Sequence, residues 1–168
     1  PKKKPGEYRP LTVLVSIDKV VATAIKIVFN AIFERIKGLD MLPECRYFHN
    51  FNHGFRPNRG CHSALDIIIT WGSSPWFIKA DVEKCYDTMD QKQLLFILKQ
   101  SFEDQLLLDT LHKFFKMPIQ GVGVPQGNPL SPLLANIYLN EFDQFIHTLK
   151  KEIDKGTPTD TTAKKWNQ

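Results

Sequence analysis

Cysteine is scarce in this chain: Cys45, Cys61 and Cys85 are all that 168 residues hold. Three thiols far apart make neither a disulfide framework nor the paired spacing of a zinc site, and they fit a reducing, intracellular compartment. No apolar run approaches the roughly 20 residues that a membrane-spanning helix needs, so no membrane partner is expected. There is no Gly-x-Ser-x-Gly elbow, no P-loop and no pair of histidines on a helix, which sets aside the common hydrolase, nucleotide-hydrolase and zinc-protease chemistries. Neither sign of charge dominates. The net charge of +4, from 22 Lys and Arg against 18 Asp and Glu, permits a polyanionic partner without demanding one. With 42% hydrophobic and 24% charged residues, the composition is that of an ordinary globular chain with room for one core or two small lobes.

What is present centres on Trp76-Phe77-Ile78-Lys79-Ala80-Asp81-Val82-Glu83-Lys84-Cys85-Tyr86-Asp87. Its aromatic and β-branched start favours an extended strand. That places Asp81 at the carboxyl end of a buried strand, the edge where ligands gather in sheets crossed by helices. Taken alone, an Asp in such a place reads as a turn residue or a helix cap. A second segment, Gly121-Val122-Gly123-Val124-Pro125-Gln126-Gly127-Asn128-Pro129-Leu130-Ser131-Pro132, leaves the backbone bare around Pro125-Gln126, where a ligand can approach closely. The plainer reading of those glycines is a strand and a turn.

Between and around these segments the pattern is mostly helical. Leu11, Val13 and Val15 alternate as in a strand after a basic, Pro-Gly turn that holds Lys2, Lys3, Lys4 and Arg9. Asp18 reads as the N-cap of a helix whose buried stripe is Val21, Ile25, Val28, Phe29, Ile32 and Ile36, with Gly38 ending it. Residues 48 to 59 read as a loop, in which Arg56 and Arg59 flank Pro57-Asn58. Such a pair beside an aromatic can grip a phosphate backbone, or can be ordinary solvated charge. Residues 61 to 71 read as a buried helix. Asp90 caps the next helix, which carries Leu94, Ile97 and Leu98. Residues 104 to 115 form another, with Leu107, Leu108, Leu111 and Phe114 on its apolar stripe. Ser131-Pro132 opens the last, with Pro at the first helical position and a buried stripe of Leu133, Leu134, Ile137, Phe142, Ile146 and Leu149.

Four blocks in one order, Lys3 to Leu11, Gly54 to Leu65 (GFRPNRGCHSAL) and the two segments above, resemble the reverse transcriptases encoded by group II introns, the maturase-type enzymes. The resemblance implies an α+β fold: the fingers and partial palm of a right-hand polymerase. It divides the chain into fingers at 1–73 and 91–123, partial palm at 74–90 and 124–155, and a polar tail or linker at 156–168, with thumb and maturase domain absent. It implies that Asp81 and the Val82 carbonyl bind Mg²⁺ and that Asp81 is catalytic. Lys3 (or Lys4), Arg9, Lys84, Cys85, Tyr86, Gln126 and Gly127 would line the nucleotide pocket, with Tyr86 excluding a ribose 2′-hydroxyl. Arg56, Asn58, Arg59 and Pro125 would meet the RNA template. Asp81 and Gln126 are then expected to face one cleft. The partners implied are RNA, as intron and as template–primer, deoxynucleoside triphosphate, and a second chain able to complete the palm. The style of the block ending at Asp81 favours an organellar, mitochondrial setting over a bacterial cytoplasm.

One departure from the family pattern limits the chemistry. Two divalent ions about 4 Å apart repel by roughly 16 kcal/mol at an effective dielectric of about 20, which one carboxylate does not balance. The family supplies the rest from a later Asp-Asp pair, yet no two acids are adjacent after residue 127. The expectation is therefore a portion of a reverse transcriptase/maturase that is inactive alone. The alternative is a catalytically dead RNA-binding or assembly protein that reuses the fold.

Overall fold

The computed structural model describes residues 12–34, 47–72, 77–115 and 121–155. Six helices carry it: α1 (Ser16–Phe33), α2 (Cys61–Ile69), α3 (Cys85–Thr88), α4 (Gln91–Ser101), α5 (Gln105–Phe114) and α6 (Ser131–Lys155). The core collects where their apolar stripes meet. Phe29 and Phe33 of α1, Leu94, Ile97 and Leu98 of α4, Leu108 and Leu111 of α5, and Leu133, Leu134 and Ile137 of α6 form one buried cluster with Phe48, Met89, Phe115, Val124 and Leu130. Phe102, just past α4, stacks on Phe29 with ring centroids 4.8 Å apart and meets Phe33 edge-on at 5.7 Å. These offset and edge-to-face arrangements suit the quadrupoles of the rings.

The helix ends follow the local chemistry. The Asp90 carboxylate accepts from the N–H groups of Lys92 and Gln93 at 2.7 and 3.2 Å, and Asp104 accepts from Leu107 at 3.1 Å. Each satisfies donors that the first turn leaves unpaired. The other end that was read from an acidic residue differs. α1 begins at Ser16 with Asp18 in its first turn, where a negative charge still complements the helix dipole. α1 ends at Phe33, and Ile36 and Gly38 lie outside the described residues. α6 starts one residue earlier than expected, at Ser131, so Pro132 is second in the helix.

Strands are where expectation and structure part. Among the described residues the β pairing is a single antiparallel bridge, Asp90 with Val122; the described residues are mostly helical and do not confirm the α+β reading. Residues 12–15 and 77–80 are irregular. Phe77 and Ile78 are 78% and 90% exposed, the opposite of a buried strand. A strand exists only when a neighbour accepts its backbone hydrogen bonds, and no described segment lies beside Phe77–Ala80 to do so. Side-chain propensity read along one segment does not supply that neighbour.

Two stripes are also less buried than their periodicity implied. Val21 and Val28 of α1 are exposed, as are Phe142, Ile146 and Leu149 in the second half of α6. α2 has an apolar composition but no buried residue. Spacing identifies a helix face without saying what covers it.

One buried polar side chain holds the centre. Gln91, 4% exposed, donates from its Nε2 to the carbonyl oxygens of Phe115 and Gly123, each at 2.7 Å. Replacing it by an apolar side chain of similar shape leaves two carbonyls unpaired, and a lost buried partner costs about 1–3 kcal/mol. The Gln91→Met variant is expected to lose about 2–3 kcal/mol of stability, read as a lowered urea midpoint with an unchanged slope; an unchanged midpoint would show that the amide is dispensable.

Candidate nucleotide and template site

The segment 81–90 and the loop 121–127 come together along their backbones. Gly123 N–H donates to Met89 O at 2.6 Å, Val124 N–H to Tyr86 O at 2.7 Å and Gln91 N–H to Gly121 O at 3.1 Å. Glycine is required for the close approach: a Cβ on Gly123, whose φ is +84°, would lie 3.0 Å from the Asp87 carbonyl oxygen. Gly127, with φ +103°, sits against residue 12, and a Cβ there would meet Thr12 O at 2.5 Å. The Gln126 carbonyl accepts from Thr12 N–H at 2.7 Å, so the loop is fastened from both sides.

At the other side of this seam the chain turns sharply. Lys84 adopts the left-handed conformation, φ 51° and ψ 40°, which costs a non-glycine residue about 1–2 kcal/mol. Its carbonyl then accepts from the N–H groups of Asp87 and Thr88 at 2.7 and 3.0 Å, closing the short helix α3. Such strain at a turn between two candidate site residues accords with a functional constraint. Asp81 and Val82 precede the turn and are exposed. Cys85 and Tyr86 follow it, half-buried. Burial pushes the Cys85 thiol up, with the nearby Asp81 carboxylate adding to the effect. Burial likewise raises the Tyr86 phenol, and Cys85 contributes. Both side chains are therefore neutral surfaces rather than acids or nucleophiles at neutral pH.

Gln126 is half-buried, and its Nε2 donates to Asp87 Oδ1 at 3.1 Å. The sequence analysis gives Asp87 no role and so misses this partner. A polar side chain a few residues from Asp81 was the only available signal. Lys3, Lys4 and Arg9 lie outside the described residues. Among the described residues no cluster of three or more His, Cys, Asp or Glu could hold a metal ion. Asp81 and the Val82 carbonyl supply one exposed carboxylate and one carbonyl, fewer ligands than a two-ion site needs.

The loop 47–60 is built from different chemistry. Gly54, Phe55, Asn58 and Gly60 mark its turns, with Phe55 and Asn58 at positive φ. Arg56 is its anchor. The guanidinium pairs in fork fashion with both carboxylate oxygens of Glu34, the Nη2–Oε2 contact being 3.0 Å. Nη1 donates to the carbonyls of His49 and Asn52 at 2.7 Å each. The side chains of Arg56 and Glu34 are 7% and 9% exposed, so Arg56 ties the loop to the end of α1 rather than offering a free charge to solvent. Glu34 was not foreseen: a single acid at the end of an apolar stripe gives no sign of its partner 22 residues on. Arg59 donates to Asn50 O at 2.6 Å and Oδ1 at 3.3 Å. Asn58 is exposed and Pro125 is buried.

The same loop docks on α6. Asn52 donates to Asp143 Oδ2 at 3.2 Å and Asn136 to Gly54 O at 2.7 Å. The rings of His49 and His147 lie 4.0 Å apart, with Phe51 stacked on His49 at 4.6 Å. Burial lowers the His49 pKa below its ordinary 6.5, helped by His147, Lys151 and Arg56 and opposed by Asp143.

A histidine held neutral in the fold binds its proton more readily unfolded. Its contribution is therefore complete above the ordinary pKa of 6.5 and is lost as pH falls through the lower folded value. Acidification from about pH 7.5 to about pH 5.5 is expected to lower the melting temperature, and His49→Gln to flatten that dependence. Parallel pH profiles of the two proteins would remove His49 from this role.

Comparison with known proteins matches the chain, over residues 1–155, to the family described as reverse transcriptase (RNA-dependent DNA polymerase). It is 34% identical over 166 residues to the group II intron-encoded protein LtrA of Lactococcus lactis, covering 94% of this chain and 26% of that protein. It is 36% identical over 167 residues to an uncharacterized 91 kDa protein in the cob intron of Schizosaccharomyces pombe, covering 93% of this chain and 19% of that one. It is 28% identical over 162 residues to nuclear intron maturase 4, mitochondrial, of Arabidopsis thaliana, covering 88% and 19%. The chain thus spans about a quarter or less of the length of these relatives. On the family match and on the seam that joins its two signature segments, the chain belongs to the reverse transcriptase family, and its relatives include proteins encoded by group II introns.

Proposed function

We propose that this chain is the fingers and partial palm of a group II intron reverse transcriptase/maturase, the whole protein copying RNA into DNA and assisting the splicing of its intron. The observation that carries the reading is the backbone seam between Tyr86–Met89 and Gly121–Val124. It puts Tyr86 and Asp87, which follow the turn at Lys84, beside the loop that carries Gln126, with Asp81 a few residues upstream in the chain. In the division we adopt, fingers occupy 1–73 and 91–123, partial palm 74–90 and 124–155, and a linker 156–168.

In this reading Asp81 and the Val82 carbonyl are the chain's contribution to a two-ion Mg²⁺ site. Such ions would activate the primer hydroxyl and steady the leaving pyrophosphate. The chain's own residues bind and select. Lys3 or Lys4, Arg9 and Lys84 hold the triphosphate, Cys85, Gln126 and Gly127 line the pocket, and Tyr86 excludes a 2′-hydroxyl. Asn58 and Arg59 meet the template, Arg56 holds their loop in shape, and Pro125, which is buried, lies in the loop that carries Gln126. The missing carboxylates would come from a later segment of the same protein or from a second chain. The Arabidopsis relative is named as mitochondrial, and we place this protein in an organelle on that ground and on the style of the block ending at Asp81. Among the described residues no helix is long and apolar enough to cross a membrane.

Two measurements test the reading. The chain alone is expected to bind RNA with salt-sensitive affinity, each contacted phosphate contributing about −0.7 to the slope of log K against log salt, and to show no primer extension with Mg²⁺. Absence of binding even at low salt would defeat the RNA-binding reading, and robust DNA synthesis by the isolated chain would contradict the incomplete site. In the complete protein, Tyr86→Ala is expected to admit ribonucleotides, with sugar discrimination falling by about 10-fold or more, roughly 1.4 kcal/mol; unaltered discrimination would take Tyr86 out of the gate.

A further inference from the structure

The contact between Gln126 and Asp87 does more than fasten a loop. A carboxylate is an acceptor only, whereas a glutamine amide has an acceptor end and a donor end that exchange places on a half-turn of its terminal bond. Facing Asp87 Oδ1 at 3.1 Å, the amide is stable only with its NH₂ toward the acid, because the flipped amide would set two oxygens against each other. Both partners are themselves held. Asp87 sits in α3, with its N–H bonded to Lys84 O at 2.7 Å, and Gln126 is tied through its carbonyl to Thr12 at 2.7 Å. The neighbouring Tyr86 and Val124 are joined at 2.7 Å, so the backbones that carry the two side chains are fixed beside one another. Among the described residues no protein donor meets Gln126 Oε1.

We propose that Asp87 is a positioning residue that fixes the amide of Gln126 so that it presents its carbonyl oxygen, an acceptor, to the ligand. The group it recognises is accordingly a donor on the nucleotide or its paired strand, a hydroxyl or an amine rather than a phosphate or carbonyl oxygen. The inference rests on the nucleotide-pocket reading above and adds to it the polarity of one contact and the residue that sets it.

The test is a double-mutant cycle in the complete protein, with primer extension measured against deoxynucleotide concentration. Asp87→Asn can donate as well as accept and frees the amide to flip; KM is expected to rise about fivefold with kcat within about twofold, the pattern of lost binding. Gln126→Glu sets two carboxylates face to face and is expected to raise KM by about 30-fold or more. The pair Asp87→Asn with Gln126→Glu restores a donor facing an acceptor and leaves one carboxylate oxygen for the ligand. It is expected to return KM to within about threefold of Asp87→Asn alone. An additive cycle, or single variants with unchanged KM, overturns the proposal. Thermal melting of the same four proteins guards against a purely structural effect: coupling that appears in melting temperature alone also overturns it. A complete wild-type protein that extends no primer would instead overturn the function proposed above, so the two failures are distinguishable.

Discussion

Gln91 donates from its side-chain amide to two main-chain carbonyls, those of Phe115 and Gly123, and the rest of the arrangement hangs from that bond pair. It sits at the start of α4, immediately after the Asp90 cap, where the chain leaves the turn that carries the candidate catalytic acid. By holding Gly123, it fixes the glycine-rich loop against α3. By holding Phe115, it fixes the end of α5 against the same point. An amide buried in a core is costly unless its hydrogen bonds are made, so this one is stable only in the arrangement that satisfies both carbonyls. That requirement selects a unique packing where apolar contacts alone would tolerate several.

Seen from this anchor, the site divides into a rigid part and an incomplete part. The seam between Tyr86–Met89 and Gly121–Val124 is hydrogen-bonded on both edges and backed by Met89, Val124 and Leu130 in the core. The turn at Lys84 is strained, and the segment leading into it is exposed. The loop 47–60 is joined to α1 through Glu34 and to α6 through Asn52, Asn136 and His147. Arg56 illustrates how the same residue type divides its work. Its fork is spent on the protein's own carboxylate and carbonyls.

The site's legibility in sequence varied with the kind of interaction. The glycines at 121, 123 and 127 announced a bare backbone; all three have positive φ, and Gly123 and Gly127 also approach Asp87 and Thr12 too closely for a side chain. Asp90 announced a helix start, because capping is a bond within four residues; the cap that Asp104 makes was not read. Asp87 was passed over, since its partner lies 39 residues away. Glu34 and His147 were passed over for the same reason. The strand expected before Asp81 failed because its propensity was read without a partner strand.

By itself, then, the sequence determined five of the six described helices and their order, the Asp90 cap of one of them, the glycine-lined loop and the family to which the four blocks belong. All of these depend on residues near one another in the chain or on a pattern repeated across relatives. Only the tertiary structure decided that Asp87 meets Gln126, that Arg56 is buried on Glu34, that Gln91 bridges two loops, and that Phe77 and Ile78 stand in solvent. Each of those is a contact or a lack of one between distant segments. A hydrogen bond or a buried charge is worth keeping only where the fold brings its partner within about 3 Å, a distance that no local pattern encodes.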